Sequence, residues 1–533
     1  MNASQQIAGS HWTPKKQACW QALKQQAQTM RLEKIVDLFT KNPQRAQQFS
    51  VSCNSFLLDF SKNLINEKIL NLLIELAETS ELSSAMNALF SGKKINLSEQ
   101  RAALHPALRA SVLSPLLGHP WKEETQRLTK TVAQLRQGHW LNHKGQPILD
   151  IVNIGVGGSD LGPRFTCQAL AAYANSPLRL HFVANIDPNE LHALLNKLNP
   201  ETTLFILCSK SFYTRETQLN AAQANQWLQQ TLTQEQITHH WIAVTHCTER
   251  ARAFNIPDTQ IFYLPETIGG RYSIWSSMGI SLMLSIGPEK FQQFLTGAEK
   301  MDQHFQQAPL RQNMPVIMAL ISVWYQNFLN TQAHGVIPYD HQLMSFLDYL
   351  QQLDMESNGK SCDQQGHPVS YSTGAILWGG VGSNSQHSFH QLLHQGTQLY
   401  PVDFLLPLTH PMDDLNEQHR WLVANCLAQS QALMLGQQNE HQPEKNVPGN
   451  KPSNTLCYPY LTPEILGGLI ALYEHKVFTQ SVIWQINPFD QWGVELGKVL
   501  CQDIFDGLSE IKNQSLDGST EQLIQRYKKR SQN

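Results

Sequence analysis

Hydroxyl-bearing and basic side chains crowd into a short stretch directly after an apolar run. The run covers residues 204–208, and the side chains that follow are Ser209, Lys210, Ser211, Thr214, Arg215 and Thr217. A short apolar run predicts a buried strand, and the polar residues predict a loop that opens a helix. The N–H groups at a helix start suit an anion, so this stretch predicts a cage for a phosphate monoester. An ordinary Ser/Thr-rich helix cap explains the same residues.

A glycine-rich stretch follows a second apolar run, residues 148–154. It reads Gly155-Val-Gly-Gly-Ser-Asp-Leu-Gly162, so a small ligand could approach the backbone closely at Gly158 and Ser159. A dinucleotide fingerprint needs glycine where Asp160 stands, and the Gly-Lys-Ser/Thr run of a P-loop is absent. The stretch therefore favours a small ligand over a nucleotide, with a tight turn as the alternative. Ser159 also lacks the surroundings of a hydrolase nucleophile.

Two further stretches could supply acid–base and electrostatic chemistry. Glu356 follows an amphipathic helix predicted over residues 343–354, where a carboxylate could project into a cleft. A solvated acidic helix end is the alternative. Arg271 follows two glycines, so its guanidinium could hold an anion or a developing oxyanion, or could simply cap a helix.

Three histidines share one face of a predicted helix, because His387, His390 and His394 are spaced i, i+3 and i+7. The spacing raises the hypothesis of a metal site. No Glu, Asp or Cys lies among them, so a single acid–base histidine is favoured. Further along, Lys498 lies three residues after Glu495, a spacing that most often indicates an ion pair.

Strand-like and helical segments alternate over much of the chain. Apolar runs predict strands at residues 148–154, 178–184, 203–208, 241–245, 261–264 and 372–378, whereas residues 1–119 are predicted to be mostly helical. The alternation predicts an α/β fold with parallel sheets covered by helices. Ligands bind beyond the carboxyl ends of the strands in such sheets, and both polar loops lie at such ends.

Composition narrows the class of protein. The 533 residues include 40 Lys or Arg and 43 Asp or Glu without a basic block, which argues against nucleic acid as a partner. Nine scattered cysteines favour a reducing compartment over a disulfide framework. The first six residues lack the order of a signal peptide, and the apolar stretches are too short or too broken to span a bilayer. We expect a soluble, cytoplasmic protein without membrane contact.

Taken together, these stretches resemble the glucose-6-phosphate isomerase family over nearly the whole chain. The matching stretches are residues 154–163, 209–217, 269–275, 352–360, 386–387, 394–397, 472–476 and 489–498. The Gly-Gly-Arg and Asp-Gln-Trp-Gly-Val-Glu stretches are long and specific, and all stretches occur in family order.

The resemblance implies an α/β fold with two doubly wound parallel-sheet domains of the sugar-isomerase type and flanking helices. The expected parts are an N-terminal helical part of the larger domain (1–119), the smaller domain (120–285), the larger domain (286–510) and a C-terminal arm (511–533). The implied activity is interconversion of D-glucose 6-phosphate and D-fructose 6-phosphate through a cis-enediol in glycolysis and gluconeogenesis. No metal and no organic cofactor is implied.

The resemblance also implies roles for individual residues. Glu356 would move a proton between C2 and C1, Arg271 would stabilise the enediolate, and His387 with Lys498 would open the sugar ring. Substrate contacts would come from Gly158, Ser159, Ser209, Lys210, Ser211, Thr214, Thr217, Gln352 and Gln491. The family is dimeric, so we expect a homodimer in which His387 acts across the interface.

Some positions depart from the family pattern without removing a catalytic group. They are Ser211, Tyr213, Arg215, Leu353 and His390. Leu353 lies three residues before the expected base and could alter its loop. Three other functions stay open: an isomerase that also accepts mannose 6-phosphate, a non-catalytic sugar-phosphate-binding regulator, and an extracellular signalling role, against which the missing signal peptide counts. A regulator would carry a DNA-binding module and lack the acid–base groups.

Overall fold

The computed structural model describes residues 12–110, 115–117, 119–412, 416–508 and 516–531. The first six residues, examined above for a signal peptide, and residues 511–515 and 532–533 of the expected C-terminal arm lie outside this part. The chain divides into two compact units, Met1–Pro488 and Phe489–Asn533. Among the described helices, none combines the length and apolarity needed to cross a membrane.

The strands of the described residues form two separate sheets. They are β1 (Ser50–Cys53), β2 (Phe56–Asp59), β3 (Asp150–Ile154), β4 (Arg179–Val183), β5 (Thr203–Cys208), β6 (Trp241–Thr245), β7 (Ile261–Tyr263), β8 (Ala333–Pro338), β9 (Ile376–Gly379), β10 (Val402–Pro407) and β11 (Ser453–Tyr458).

Helices precede, connect and follow these strands. In the first unit they are α1 (Pro14–Met30), α2 (Ile35–Lys41), α3 (Arg45–Gln48), α4 (Glu67–Thr79), α5 (Leu82–Phe90), α6 (His119–Arg136), α7 (Leu161–Ala169), α8 (Pro188–Leu195), α9 (Arg215–Gln229), α10 (Gln234–Ile237), α11 (Thr248–Ala253), α12 (Ile280–Ile286), α13 (Pro288–Gln307), α14 (Met314–Val323), α15 (Phe346–Leu350), α16 (Gly382–Gln386), α17 (His390–Gln395), α18 (Asn416–Leu435) and α19 (Pro463–Trp484). The second unit contains α20 (Glu495–Leu508) and α21 (Gly518–Ser531).

The five-stranded sheet has the order β4-β3-β5-β6-β7, and every neighbouring pair is parallel. Its central strands β3, β5 and β6 are buried along their whole length, as their uninterrupted apolar runs predict. Ile154 pairs with Leu207, so β3 and β5 end side by side. The glycine-rich loop and the hydroxyl-rich loop therefore start at the same edge of the sheet.

The six-stranded sheet has the order β1-β2-β11-β10-β8-β9. Strands β11, β10, β8 and β9 are parallel, whereas β1 and β2 form an antiparallel hairpin that pairs with β11. The hairpin turns at Asn54, which adopts φ 51° as asparagine does in tight turns. The predicted α/β fold with two parallel-sheet parts and flanking helices is confirmed, with this hairpin as an unpredicted addition. The domain boundaries stay predictions.

A buried charge network joins α13 and α19 and contacts, through Trp275, the segment that follows Arg271. Arg109 donates to both carboxylate oxygens of Asp302, at 2.7 and 2.5 Å, and also to Glu474. His475 Nε2 lies 2.6 Å from Asp302 Oδ1, and Trp275 Nε1 donates to Glu474 Oε1 at 2.8 Å. Burial raises the pKa of Glu474, and Arg109 opposes that rise. Each buried charge thus has a hydrogen-bonded partner.

We expect Glu474→Gln to lower the free energy of unfolding by about 3–5 kcal/mol, because it removes one charge of a fully buried set. The matched control is Glu464→Gln on the same helix, where the carboxylate pairs with Lys300 at the surface. That change should cost less than about 1 kcal/mol. Urea unfolding of both variants measures the difference, and equal losses would contradict the role given to the network.

Candidate active site

Glu356 ends a π-helix, Gln351–Glu356, which follows α15 directly. A helix was predicted up to residue 354, but its last part is wound more widely than an α-helix. Leu353 and Asp354 are buried on its inner side, and Asp354 Oδ1 accepts from Asn358 at 2.9 Å. Glu356 itself is half-buried, with 22% of its side chain exposed. A carboxylate in this position is reachable and yet partly shielded, as a general base requires.

Arg271 faces Glu356 from the neighbouring segment. The guanidinium is buried, and its Nη1 lies 3.5 Å from Glu356 Oε2. Its Nε donates to Ser357 Oγ at 2.7 Å, and its Nη2 donates to the carbonyl of Pro488. Tyr272 lies within hydrogen-bond distance of the same Ser357 hydroxyl, at 3.0 Å. Neutral acceptors therefore fix the cation in place while one edge of it faces the carboxylate.

Ser357 was not singled out from the sequence, although it lies within the stretch 352–360 quoted for the resemblance. Its hydroxyl holds Arg271, so it acts on Glu356 through the guanidinium. The one sequence signal that could have identified it is its position directly after Glu356.

The glycine-rich loop touches the Arg271 segment backbone to backbone. A Cβ at Gly158 would lie 2.1 Å from the carbonyl carbon of Gly270, so any larger residue would force the two segments apart. Gly157 has φ 56°, and a Cβ there would meet the amide nitrogen of Gln352 at 3.0 Å. The loop thus brings the predicted residues Gly158, Gln352 and Arg271 together at one place.

Two buried hydroxyl groups in the hydroxyl-rich stretch have no hydrogen-bond partner among the described residues. They are Ser209 Oγ and Thr217 Oγ1, and both line a cavity of about 420 Å³. Leaving such a hydroxyl unpaired costs about 1–3 kcal/mol, which a polar ligand would recover. Thr214 is the N-cap residue of α9, but its side chain makes no capping hydrogen bond. The start of α9 therefore lacks the side-chain cap from Thr214 that the alternative interpretation of this stretch requires.

Lys210 joins the hydroxyl-rich loop to the segment that precedes Gly269 rather than lining the cavity. Its ammonium donates to the carbonyls of Glu266, at 2.8 Å, and Ile268, at 3.0 Å. Burial lowers the pKa of Lys210, and the nearby charge of Arg101 adds to that effect. Two of the three ammonium N–H groups are used in these bonds, so one is left for a ligand.

The three histidines do not converge on a common point. His387 is exposed at the end of α16, whereas His390 and His394 both lie within hydrogen-bond distance of Gln429 Oε1, at 3.1 and 2.7 Å. Packing against α18 therefore accounts for the second and third histidines. In the part of the chain that the structure describes, no group of three or more His, Cys, Asp or Glu side chains is arranged to hold a metal ion.

Gln491 and Lys498 belong to the second compact unit. Within that unit, Lys498 Nζ lies 2.7 Å from Glu495 Oε1, which is the ion pair that the spacing indicates. The roles expected for Gln491 and Lys498 in substrate binding and ring opening stay predictions.

Substitution of Gly158 or Gly270 tests the contact between the glycine-rich loop and the segment that carries Arg271. We expect Gly158→Ala to lower the free energy of unfolding by about 1–3 kcal/mol, because its Cβ would overlap the Gly270 carbonyl. Gly270→Ala is the matched control, since its Cβ would meet Gly158 Cα at an ordinary 3.9 Å. Urea unfolding of both variants measures the difference. Equal losses of unfolding free energy would show that close approach of Gly158 to the Gly270 carbonyl does not limit the size of residue 158.

The chain is similar to known proteins over nearly its whole length. The phosphoglucose isomerase family model matches residues 59–524. Glucose-6-phosphate isomerase of Pseudomonas fluorescens (strain Pf0-1) is 47% identical over 537 residues, covering 96% of this chain and 97% of that relative. The corresponding protein of Ectopseudomonas mendocina is 46% identical and covers 96% of both chains. A crystal structure of a glucose-6-phosphate isomerase from Chlamydia trachomatis superimposes with a TM-score of 0.84 at 33% identity, covering 96% of this chain and 98% of that one. This chain therefore belongs to the phosphoglucose isomerase family.

Proposed function

We propose that this protein interconverts D-glucose 6-phosphate and D-fructose 6-phosphate, the step that links these sugars in glycolysis and gluconeogenesis. The observation that carries the proposal is the partly shielded carboxylate of Glu356 beside the buried guanidinium of Arg271. An aldose–ketose isomerase needs a base for a carbon-bound proton and a fixed positive charge near the oxygens. Membership of the family supports the same activity.

The proposed chemistry moves one proton between neighbouring carbons. Glu356 removes the C2 proton of the open-chain aldose, the electron pair forms the C1–C2 double bond, and negative charge develops on O1. Arg271 stabilises that charge as a fixed donor that does not need to reorganise. A proton passes from O2 to O1 through the cis-enediol, and Glu356 then returns its proton to C1. These steps use side chains alone, so the proposal includes no metal and no organic cofactor.

The phosphate group would anchor the substrate in the hydroxyl-rich loop. Ser209, Ser211, Thr214 and Thr217 would donate to its oxygens, together with the first N–H groups of α9 and the remaining N–H of Lys210. Gly158, Ser159 and Gln352 would contact the sugar, and Gln352 Oε1 is buried without a partner among the described residues. Anchoring of this kind can contribute on the order of 7 kcal/mol to the reaction by positioning C1 and C2.

Ring opening would precede isomerisation and would need a proton donor and acceptor at the ring oxygen. We assign this step to His387 assisted by Lys498, with Gln491 holding a hydroxyl. His387 is exposed in the single chain, which suits a side chain that serves the site of a partner subunit in a homodimer. The proposed location is the cytoplasm, and the nine free cysteines fit a reducing compartment.

Glu356→Gln tests the base. We expect kcat for fructose 6-phosphate to fall by at least about a hundredfold, because a general base contributes roughly that much or more. Binding of the sugar phosphate, measured by calorimetry, should change little because the amide keeps the shape of the carboxylate. Glu464→Gln serves as a control. Turnover retained by Glu356→Gln would contradict the role of Glu356 as the base. Exchange of the C2 proton with solvent deuterium during turnover by the wild-type chain would distinguish the enediol route from a hydride shift.

Mixed dimers test whether His387 acts across the interface. Glu356→Gln and His387→Ala chains are each expected to be inactive, but a dimer with one of each contains one intact site if His387 comes from the partner. Random mixing should then restore about one quarter of the wild-type kcat. If both residues serve the site of their own chain, no mixture of the two variants regains activity.

A further inference from the structure

The loop between β5 and α9 holds an unfavourable backbone conformation. Phe212, in the middle of this loop, has φ 53°, a region that bulky L-residues rarely adopt. Such a conformation persists only where the surroundings hold it. The proposed function assigns Ser211, directly before Phe212, and Thr214, two residues after it, to phosphate, so what holds Phe212 also sets the phosphate contacts.

The inner side of the loop is held by packing and by main-chain bonds. The Phe212 ring is buried in the core of the five-stranded sheet, with its centroid 6.4 Å from that of Phe254 in a T-shaped contact. The carbonyl of Lys210 accepts from Thr245 Oγ1 at 3.1 Å and from the backbone N–H of His246 at 3.0 Å. These contacts fix the loop on the side that faces β6.

The outer side of the loop is held by Arg250, which lies on α11 directly after β6. Arg250 Nη1 donates to the carbonyl of Ser211 at 2.8 Å. The guanidinium carbon also lies 5.0 Å from the centroid of the Tyr213 ring, within the range of a cation–π contact. One planar group thus contacts the residues before and after Phe212, and Arg250 and Tyr213 both line the cavity that contains Ser209 and Thr217.

We infer that Arg250 is a positioning residue for phosphate binding, with Tyr213 as its partner. It holds Ser211 and Tyr213 beside the cavity that Ser209 and Thr217 line, and it acts on the phosphate through the loop. This inference rests on the proposed function for the identity of the substrate.

The test compares Arg250→Ala with Arg252→Ala on the same helix. Arg252 forms a surface ion pair with Asp258 and lines no part of the cavity, so it controls for the loss of one positive charge. For Arg250→Ala we expect KM for fructose 6-phosphate to rise about threefold to tenfold, which corresponds to the loss of one solvent-exposed hydrogen bond of ordinary strength. The value of kcat should stay within about twofold, since the base and Arg271 are untouched.

Amide hydrogen exchange without ligand separates positioning from direct contact. Arg250→Ala should speed exchange in residues 209–214, whereas Arg252→Ala should leave it unchanged. Unchanged exchange with a raised KM would assign Arg250 to the phosphate itself, and an unchanged KM would remove it from binding altogether; both overturn the inference. If the wild-type chain fails to isomerise the sugar phosphates, the proposed function fails, and the exchange data with the affinity for inorganic phosphate still decide the role of Arg250.

Discussion

The placement of one buried cation, Arg271, constrains the rest of the site. A guanidinium removed from water is stable only where its donors meet acceptors, and here these include Ser357, the carbonyl of Pro488 and Glu356. Glu356 and Ser357 are consecutive residues, whereas Pro488 lies more than a hundred residues further along the sequence. The π-helix that carries Glu356 must therefore lie against the end of the first compact unit, with the Gly270–Tyr272 segment between them.

A second buried arginine, Arg109, stabilises the segment that runs from Gly270 to Trp275. Arg109 and its two carboxylates hold Trp275 through Glu474, a few residues after Arg271. The network resists displacement of its members, because moving any one of them leaves another charge unpaired in a medium of low dielectric. The reactive pair thus lies on a framework of polar contacts that tolerates little displacement, which suits catalysis by fixed charges.

Much of this arrangement could be predicted from residue types beside apolar runs. The strands over residues 203–208 and 241–245 are confirmed to the residue, because an unbroken apolar run of that length has few alternatives to a buried strand. The hairpin of β1 and β2 could not be predicted, since strands of four residues are too short for an alternation of apolar and polar side chains to be recognised. The direction of the Lys210 ammonium could not be predicted either, because it depends on carbonyls more than fifty residues away.

The π-helix before Glu356 makes the length of that segment a functional quantity in its own right. Residues 351–356 fit a helical pattern, but the wider turn takes up more chain than an α-helical one would. At the same chain length, ordinary α-helical winding would turn Glu356 about 100° around the helix axis, away from Arg271. The number of residues in the segment and its wider winding must therefore match for Glu356 to face Arg271. A change in the winding alone would silence the site with every reactive side chain still present.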